Sequence, residues 1–160
     1  MVARGDLEQG KLLLKIKHLN QYKFLSMLSI HNSSDIKLSN SKFSFNELFD
    51  DTIHIIYSSN ILLKNIEIKN AYSDAIDIDI SSNVILKNVK IKDSKNDGVD
   101  FMESKAIIEN LEVVNSQDKG VSIGENSDVI IKNSIFKNNK IGAAIKDSSK
   151  GKFFDVIFSN

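Results

Sequence analysis

The sequence predicts an all-β chain wound as a right-handed parallel β-helix, a single-stranded solenoid with three short strands in each of about 5–6 coils. Three observations predict it. Asn40, Asn65, Asn88, Asn110 and Asn133, with Asp155 in a sixth slot, recur at steps of 25, 23, 22, 23 and 22 residues. A short run follows each of them, apolar-polar-apolar in Ile66-Glu67-Ile68, Val89-Lys90-Ile91 and Leu111-Glu112-Val113 and looser in Ser41-Lys42-Phe43, Ser134-Ile135-Phe136 and Val156-Ile157-Phe158. No 3.6-residue apolar period survives, and β-branched residues dominate, so a helical reading fails. Right-handedness is expected from the general hand of parallel crossovers.

Taken in order, residues 1–25 match the period poorly and are expected to form an irregular N-terminal cap or cover, while residues 26–160 make the coils. In the second clear coil the three strands are Ile61–Lys64, Ile66–Lys69 and Ala75–Ile80. Alternation is strongest in the third, where Ile76, Ile78 and Ile80 face one way and Asp77 and Asp79 the other. His54, Asp77, Asp100, Ser122 and Ala144 share that outward column. Small polar residues such as Ser58-Ser59-Asn60 and Ser81-Ser82-Asn83 mark the turns. Gly98, Gly120 and Gly142 fall in one column whose earlier members are Thr52 and Ala75, so a positive φ is not required there. The recurrent asparagines are expected to hydrogen-bond from coil to coil as an internal ladder. Phe153–Phe158 reads as mid-coil sequence with two residues to follow, so a fragment of a longer solenoid, or an open end that docks on something, is expected.

Composition removes several function classes. Lys+Arg and Asp+Glu balance at 21 each, and Arg4 is the lone arginine, which argues against a nucleic-acid partner. Without cysteine there is no disulfide framework and no thiolate metal site. No apolar stretch reaches the length of a membrane span, and Met1–Gly10 lacks the layout of a signal peptide.

The chemistry concentrates on adjoining coils: Asp74, Asp77 and Asp79, then Asp97, Asp100 and Glu103, then Lys119. Stacked coils hold such carboxylates about 5 Å apart, which is unfavourable unless a cation, a lysine or a proton intervenes. The ligand-binding candidates are therefore Asp74, Asp77, Asp79, Asp97, Asp100 and Lys119, with Asp77, Asp79 and Asp100 as candidate ligands of Ca²⁺. A paired-carboxylate glycosidase site and a solvated face neutralised by Lys119 and Lys146 are the other two readings, and spacing alone does not separate them. His54, one coil above Asp77, completes an acid–base pair or is an incidental surface neighbour. His18 and His31 have no spacing partner, and the string Gly120-Val121-Ser122-Ile123-Gly124 lies mid-strand rather than at a nucleophile elbow.

The successive stretches Ser73-Asp74-Ala75-Ile76-Asp77, Asn96-Asp97-Gly98-Val99-Asp100 and Asp118-Lys119-Gly120-Val121-Ser122 resemble coils of the pectin-lyase-like superfamily. They are most similar to β-helix repeat modules of bacterial surface and spore-coat-associated proteins, and the resemblance covers residues 26–158. It implies an extracellular or cell-surface setting and a polysaccharide partner. Polygalacturonases of that superfamily carry Asn-Thr-Asp, Asp-Asp, Gly-His-Gly and Arg-x-Lys motifs on consecutive coils. Asp74 and Asp97 match an aspartate of the first two; Asn96 replaces the other aspartate of the second, Lys119 the histidine, and Ile145-Lys146 lacks the arginine. Pectate lyases use an arginine base beside Ca²⁺ ligands, and Arg4 lies far from the acidic coils.

The expected function is a non-catalytic β-helical module of a surface or secreted protein that binds saccharide or Ca²⁺. The alternative is a polysaccharide lyase or glycoside hydrolase centred on Asp74, Asp77, Asp97 and Asp100. No repeat departs from 22–25 residues, so long substrate-enclosing loops are not expected. Leu62, Ile85, Ile107 and Ile130 form an outward aliphatic stripe bounded by Lys37 and Lys152. It is expected to be covered, by the segment before Ser26 or by a protein partner.

Overall fold

The computed structural model describes residues 26–160; the readings made of residues 1–25, including their cover of the aliphatic stripe, fall outside the described residues. Twelve strands follow one another, a short one and then a long one in each coil. The short strands are β1 (Ser26–His31), β3 (Asp51–Ile56), β5 (Ile76–Asp79), β7 (Val99–Met102), β9 (Lys119–Gly124) and β11 (Ile141–Ile145). The long ones are β2 (Ser34–Ser44), β4 (Ser59–Ala71), β6 (Ser82–Ser94), β8 (Lys105–Val114), β10 (Asp128–Lys137) and β12 (Lys150–Ser159). Each series forms its own six-stranded sheet in coil order. Every neighbour is parallel and in register, as in Ile61↔Val84 and Asp77↔Asp100. Two of the three expected strands per coil therefore run as one: 61–64 and 66–69 are the two arms of β4, bent at Asn65.

The bend explains the asparagines. Asn40, Asn65, Asn88, Asn110, Asn133 and Asp155 all have φ between 49 and 57°. That left-handed conformation costs an ordinary L-residue about 1–2 kcal/mol, and Asn tolerates it best after Gly. The ladder forms as expected: the Nδ2 of Asn65, Asn88 and Asn110 donates to the Oδ1 of Asn40, Asn65 and Asn88, at 2.8, 2.9 and 2.9 Å. Its position corrects the expectation, because these amides stand outside, exposed, on the convex side of the corner. The flanking residues turn inward instead, Leu63 and Ile66 on either side of Asn65.

The buried ladder is made of serine. The backbone N–H groups of Ser58, Ser81 and Ser104 each donate to the hydroxyl of the serine one coil on, Ser81, Ser104 and Ser127, at 3.0 Å. The hydroxyls of Ser58, Ser81 and Ser104 in turn donate to the carbonyl two residues before them, as Ser104 Oγ does to Met102 O at 2.8 Å. The short side chain thus closes the turn while capping an N–H that would otherwise be buried without a partner.

Inside, columns of Ile, Leu, Val and Phe fill the space between the sheets, Ile53, Ile76, Val99 and Val121 in one and Leu63, Leu86, Ile108 and Ile131 in another. Among the described residues no glycine has a positive φ. Gly120 is small for lack of room: a Cβ there would stand 2.6 Å from both Gly142 O and the Phe136 ring. The aliphatic stripe has the expected parity, with Lys37, Leu62, Ile85, Ile107, Ile130 and Lys152 paired in register. Within it, Ile107 is 39% exposed and Leu62, Ile85 and Ile130 are half-buried.

Replacing Ser104 with Ala leaves the Ser81 N–H without its acceptor, and urea titration should show a loss of about 1–3 kcal/mol. A variant that melts with wild type would deny the serine ladder any role. At the outer corner, Asn88→Gly should keep most of the stability, while Asn88→Ala should lose about 1–2 kcal/mol because the backbone, more than the amide, is what the corner needs.

Candidate functional site

The outward face of the short-strand sheet carries three columns that hold the candidate residues. One runs Asp51, Asp74, Asp97, Lys119, as the backbone bonds Thr52 N to Asp74 O, Ala75 N to Asp97 O and Gly98 N to Lys119 O require. The second is His54, Asp77, Asp100, Ser122, and the third is Ile56, Asp79, Met102, Gly124. The sequence-predicted candidates therefore do share one face.

Their hydrogen bonds divide them by role. Asp74 Oδ1 accepts from Asp97 N at 2.6 Å and from Asn96 Nδ2 at 2.9 Å. Asp97 Oδ1 accepts from Lys119 N at 2.8 Å, and the Lys119 ammonium lies 3.4 Å from Asp97 and bonds Asp118 as well. Both aspartates thus cap backbone amides of the next coil, which is a structural use. Asp100 accepts from the Phe101 N–H at 3.0 Å.

Asp51, His54, Asp77 and Asp79 remain. The His54 Nε2 lies 3.3 Å from Asp79 Oδ2 and 3.6 Å from Asp77 Oδ2. Among the described residues, the set whose ligand atoms all lie within 4.8 Å of one another is Asp51, His54 and Asp77; Asp79 and Asp100 are outside it. His54 is 2% exposed although it belongs to the outward column, so it is a buried histidine and not the surface one that column parity suggested. Burial pushes the Asp51 carboxyl up to about 8, helped by the charges of Asp77, Asp74 and Asp50. Asp77 is pushed to about 8 by burial and then by Asp79, Asp100 and Asp74. Burial raises Asp74 to about 7 against the two bonds it accepts, and raises Asp97 and Asp100 as well.

Sequence reasoning placed His54 over Asp77 and missed Asp51. The signal was there in the column: Asp51 precedes Thr52 as Asp74 precedes Ala75. What hid it is spacing, since residues three apart on a straight strand face opposite sides.

A second feature lies where each long strand hands over to the next short one. A groove of about 670 Å³ crosses five coils there, lined by Phe45, Asn70, Lys95, Asn115, Gln117 and Lys140 among others. Asn70, Asn115 and Asn138 on its wall are again left-handed, at φ 58, 62 and 53°. Tyr72, 48% exposed, stands near it with the Lys95 ammonium 4.6 Å from its ring centroid.

Fold and site together define a parallel β-solenoid with one acid-lined sheet. A family model for the right-handed β-helix region matches residues 26–160, and the chain belongs to that family. No curated protein matches it. Among solved structures it is similar to full-length QnrB1, a plasmid-mediated fluoroquinolone resistance protein, at 13% identity over 79% of this chain and 92% of that one, with a TM-score of 0.18. A trypsin-treated form of QnrB1 gives 12% identity over 79% and 90%, with a TM-score of 0.16. At such scores the likeness carries no argument about function.

The raised carboxyls give a pH dependence with a definite sign. Asp51 and Asp77 bind protons more tightly folded than unfolded, so their contribution is full below the ordinary aspartate value of 3.8 and is lost as pH rises from there toward about 8. In chelator, the protein should unfold at lower urea at pH 8 than at pH 5.5. Asp77→Asn should reduce that difference by more than about 1.4 kcal/mol, the equivalent of one pKa unit. Equal midpoints at both pH values would show that the acidic face is freely solvated.

Proposed function

We propose that this chain is a non-catalytic β-helical binding module of a surface or secreted protein, and that it takes an extended saccharide along the axial groove. The observation that carries the reading is the groove itself. Side-chain amides and charged groups repeat along it at one-coil spacing, with Phe45 at one end and Tyr72 beside it. Amides and charges pair with hydroxyls, and an exposed aromatic face packs against the C–H face of a sugar ring.

The non-catalytic part rests on how the matched motif residues are used. Asp74 and Asp97 are taken up by backbone amides, and Lys119, which stands where the resemblance would have a histidine, is held by Asp97 and Asp118. One observation favours the alternative, a carbohydrate-active enzyme: a carboxyl raised to about 8, as at Asp77, suits a general acid. It needs a second, free carboxylate across a bound sugar, and Asp100, its neighbour in the column, is bonded to the Phe101 N–H.

A glycan array followed by calorimetry tests the proposal. Oligosaccharides should bind without release of shorter products, and Lys95→Ala and Gln117→Ala should each weaken binding by about tenfold, or 1.4 kcal/mol. Retention of no glycan, or binding indifferent to both substitutions, would remove the groove from consideration.

A further inference from the structure

The geometry points to a divalent transition-metal site at the start of the short-strand sheet, with Asp51, His54 and Asp77 as its protein ligands. This goes beyond the saccharide reading and does not depend on it. β3 supplies Asp51 and His54, and β5, paired to it with His54 opposite Asp77, supplies the third ligand. Their ligand atoms already lie within 4.8 Å of one another, the span of atoms around one ion. Asp79 Oδ2, 3.3 Å from His54 Nε2, stands close enough to serve as a fourth ligand.

Two features separate this from an ordinary acidic surface. The first is burial: Asp51, His54 and Asp79 are all buried, so water does little to screen their charges. The second is the charge balance among the described residues. Asp51, Asp77 and Asp79 gather around the His54 imidazole, with the His31 ring 5.5 Å from it, while the lysines of the later coils are engaged elsewhere, Lys119 by Asp97 and Asp118 and Lys146 by Glu125. A divalent cation would offset that excess. The donor set chooses among cations: Ca²⁺ and Mg²⁺ take oxygen ligands, whereas one imidazole with two or three carboxylates suits Zn²⁺, Mn²⁺ or Fe²⁺.

The experiment uses the tag-free full chain, stripped with chelator, and Zn²⁺ as probe with Ca²⁺ as the comparison. One equivalent of Zn²⁺ should bind and raise the melting temperature, EDTA should reverse the rise, and Ca²⁺ at the same concentration should not reproduce it. His54→Gln should weaken Zn²⁺ binding by at least the 10–100-fold that loss of even an outer-sphere partner typically costs. Because His54→Gln can also lower stability by itself, Asp51→Asn is the second variant. It should melt no lower than wild type in EDTA, since a repelling carboxylate is gone, yet lose the Zn²⁺ response. No Zn²⁺ response in the wild type, an undiminished response in both variants, or an equal response to Ca²⁺ would each overturn the assignment. Saccharide binding is read separately and is expected to be the same in both variants.

Discussion

Everything in this molecule depends on one constraint: each coil is laid in register on a near copy of itself, about 4.8 Å away. Every side chain consequently has its own column-mate as nearest neighbour, and a column persists only if its residue type tolerates contact with itself. Aliphatic groups do, which gives the core of Ile, Leu, Val and Phe. Amides and hydroxyls do, because each is both donor and acceptor, which gives the outer asparagine corner and the inner serine turn. Carboxylates do not. Where they stack, the chain relieves them with a backbone N–H at Asp74 and Asp97 and a lysine at Lys119.

Viewed so, the acidic sheet shows where ordinary relief stops. Going up the column from Lys119, each aspartate is satisfied by the coil that follows it, until Asp51 and the His54–Asp77 pair beside it. Among the described residues the neighbours there are further carboxylates, and both carboxyls are driven far above their usual range by burial first and then by nearby aspartates, Asp77 and Asp74 at Asp51 and Asp79 and Asp100 at Asp77. A stack that has settled its charges elsewhere and leaves a histidine among three aspartates is concentrating electrostatic stress at one point. Unrelieved like charges are costly to keep unless something binds them.

The sequence was a good guide wherever periodicity decides the outcome and a poor one wherever local backbone geometry does. The 22–25-residue recurrence gave the coils, the register of His54 over Asp77 and the outward parity of Leu62, Ile85, Ile107 and Ile130. It also found the asparagine ladder but put it inside, because recurrence alone cannot tell a buried amide from one sitting on a left-handed corner. The serines that do line the interior were passed over as turn residues; the hint was that Ser58, Ser81, Ser104 and Ser127 recur at an even 23 residues. The convergence of Asp51 with His54 was hidden for the same local reason, since alternation holds only while a strand stays straight.

Outside its turns, such a chain tolerates change in length only in whole steps. Because contacts run only between adjacent coils, adding or deleting one whole repeat restores every column and merely alters the length of the rod. Inserting a single residue within β4 would flip one arm of the strand, sending Leu63 or Ile66 to solvent and a lysine or glutamate inward. Only the turns can absorb a residue without that inversion, and they account for the drift from 25 to 22 along the sequence. Heritable variation in this fold is thereby quantised: whole coils come and go, turns stretch by a residue or two, and the arms between them are fixed in size.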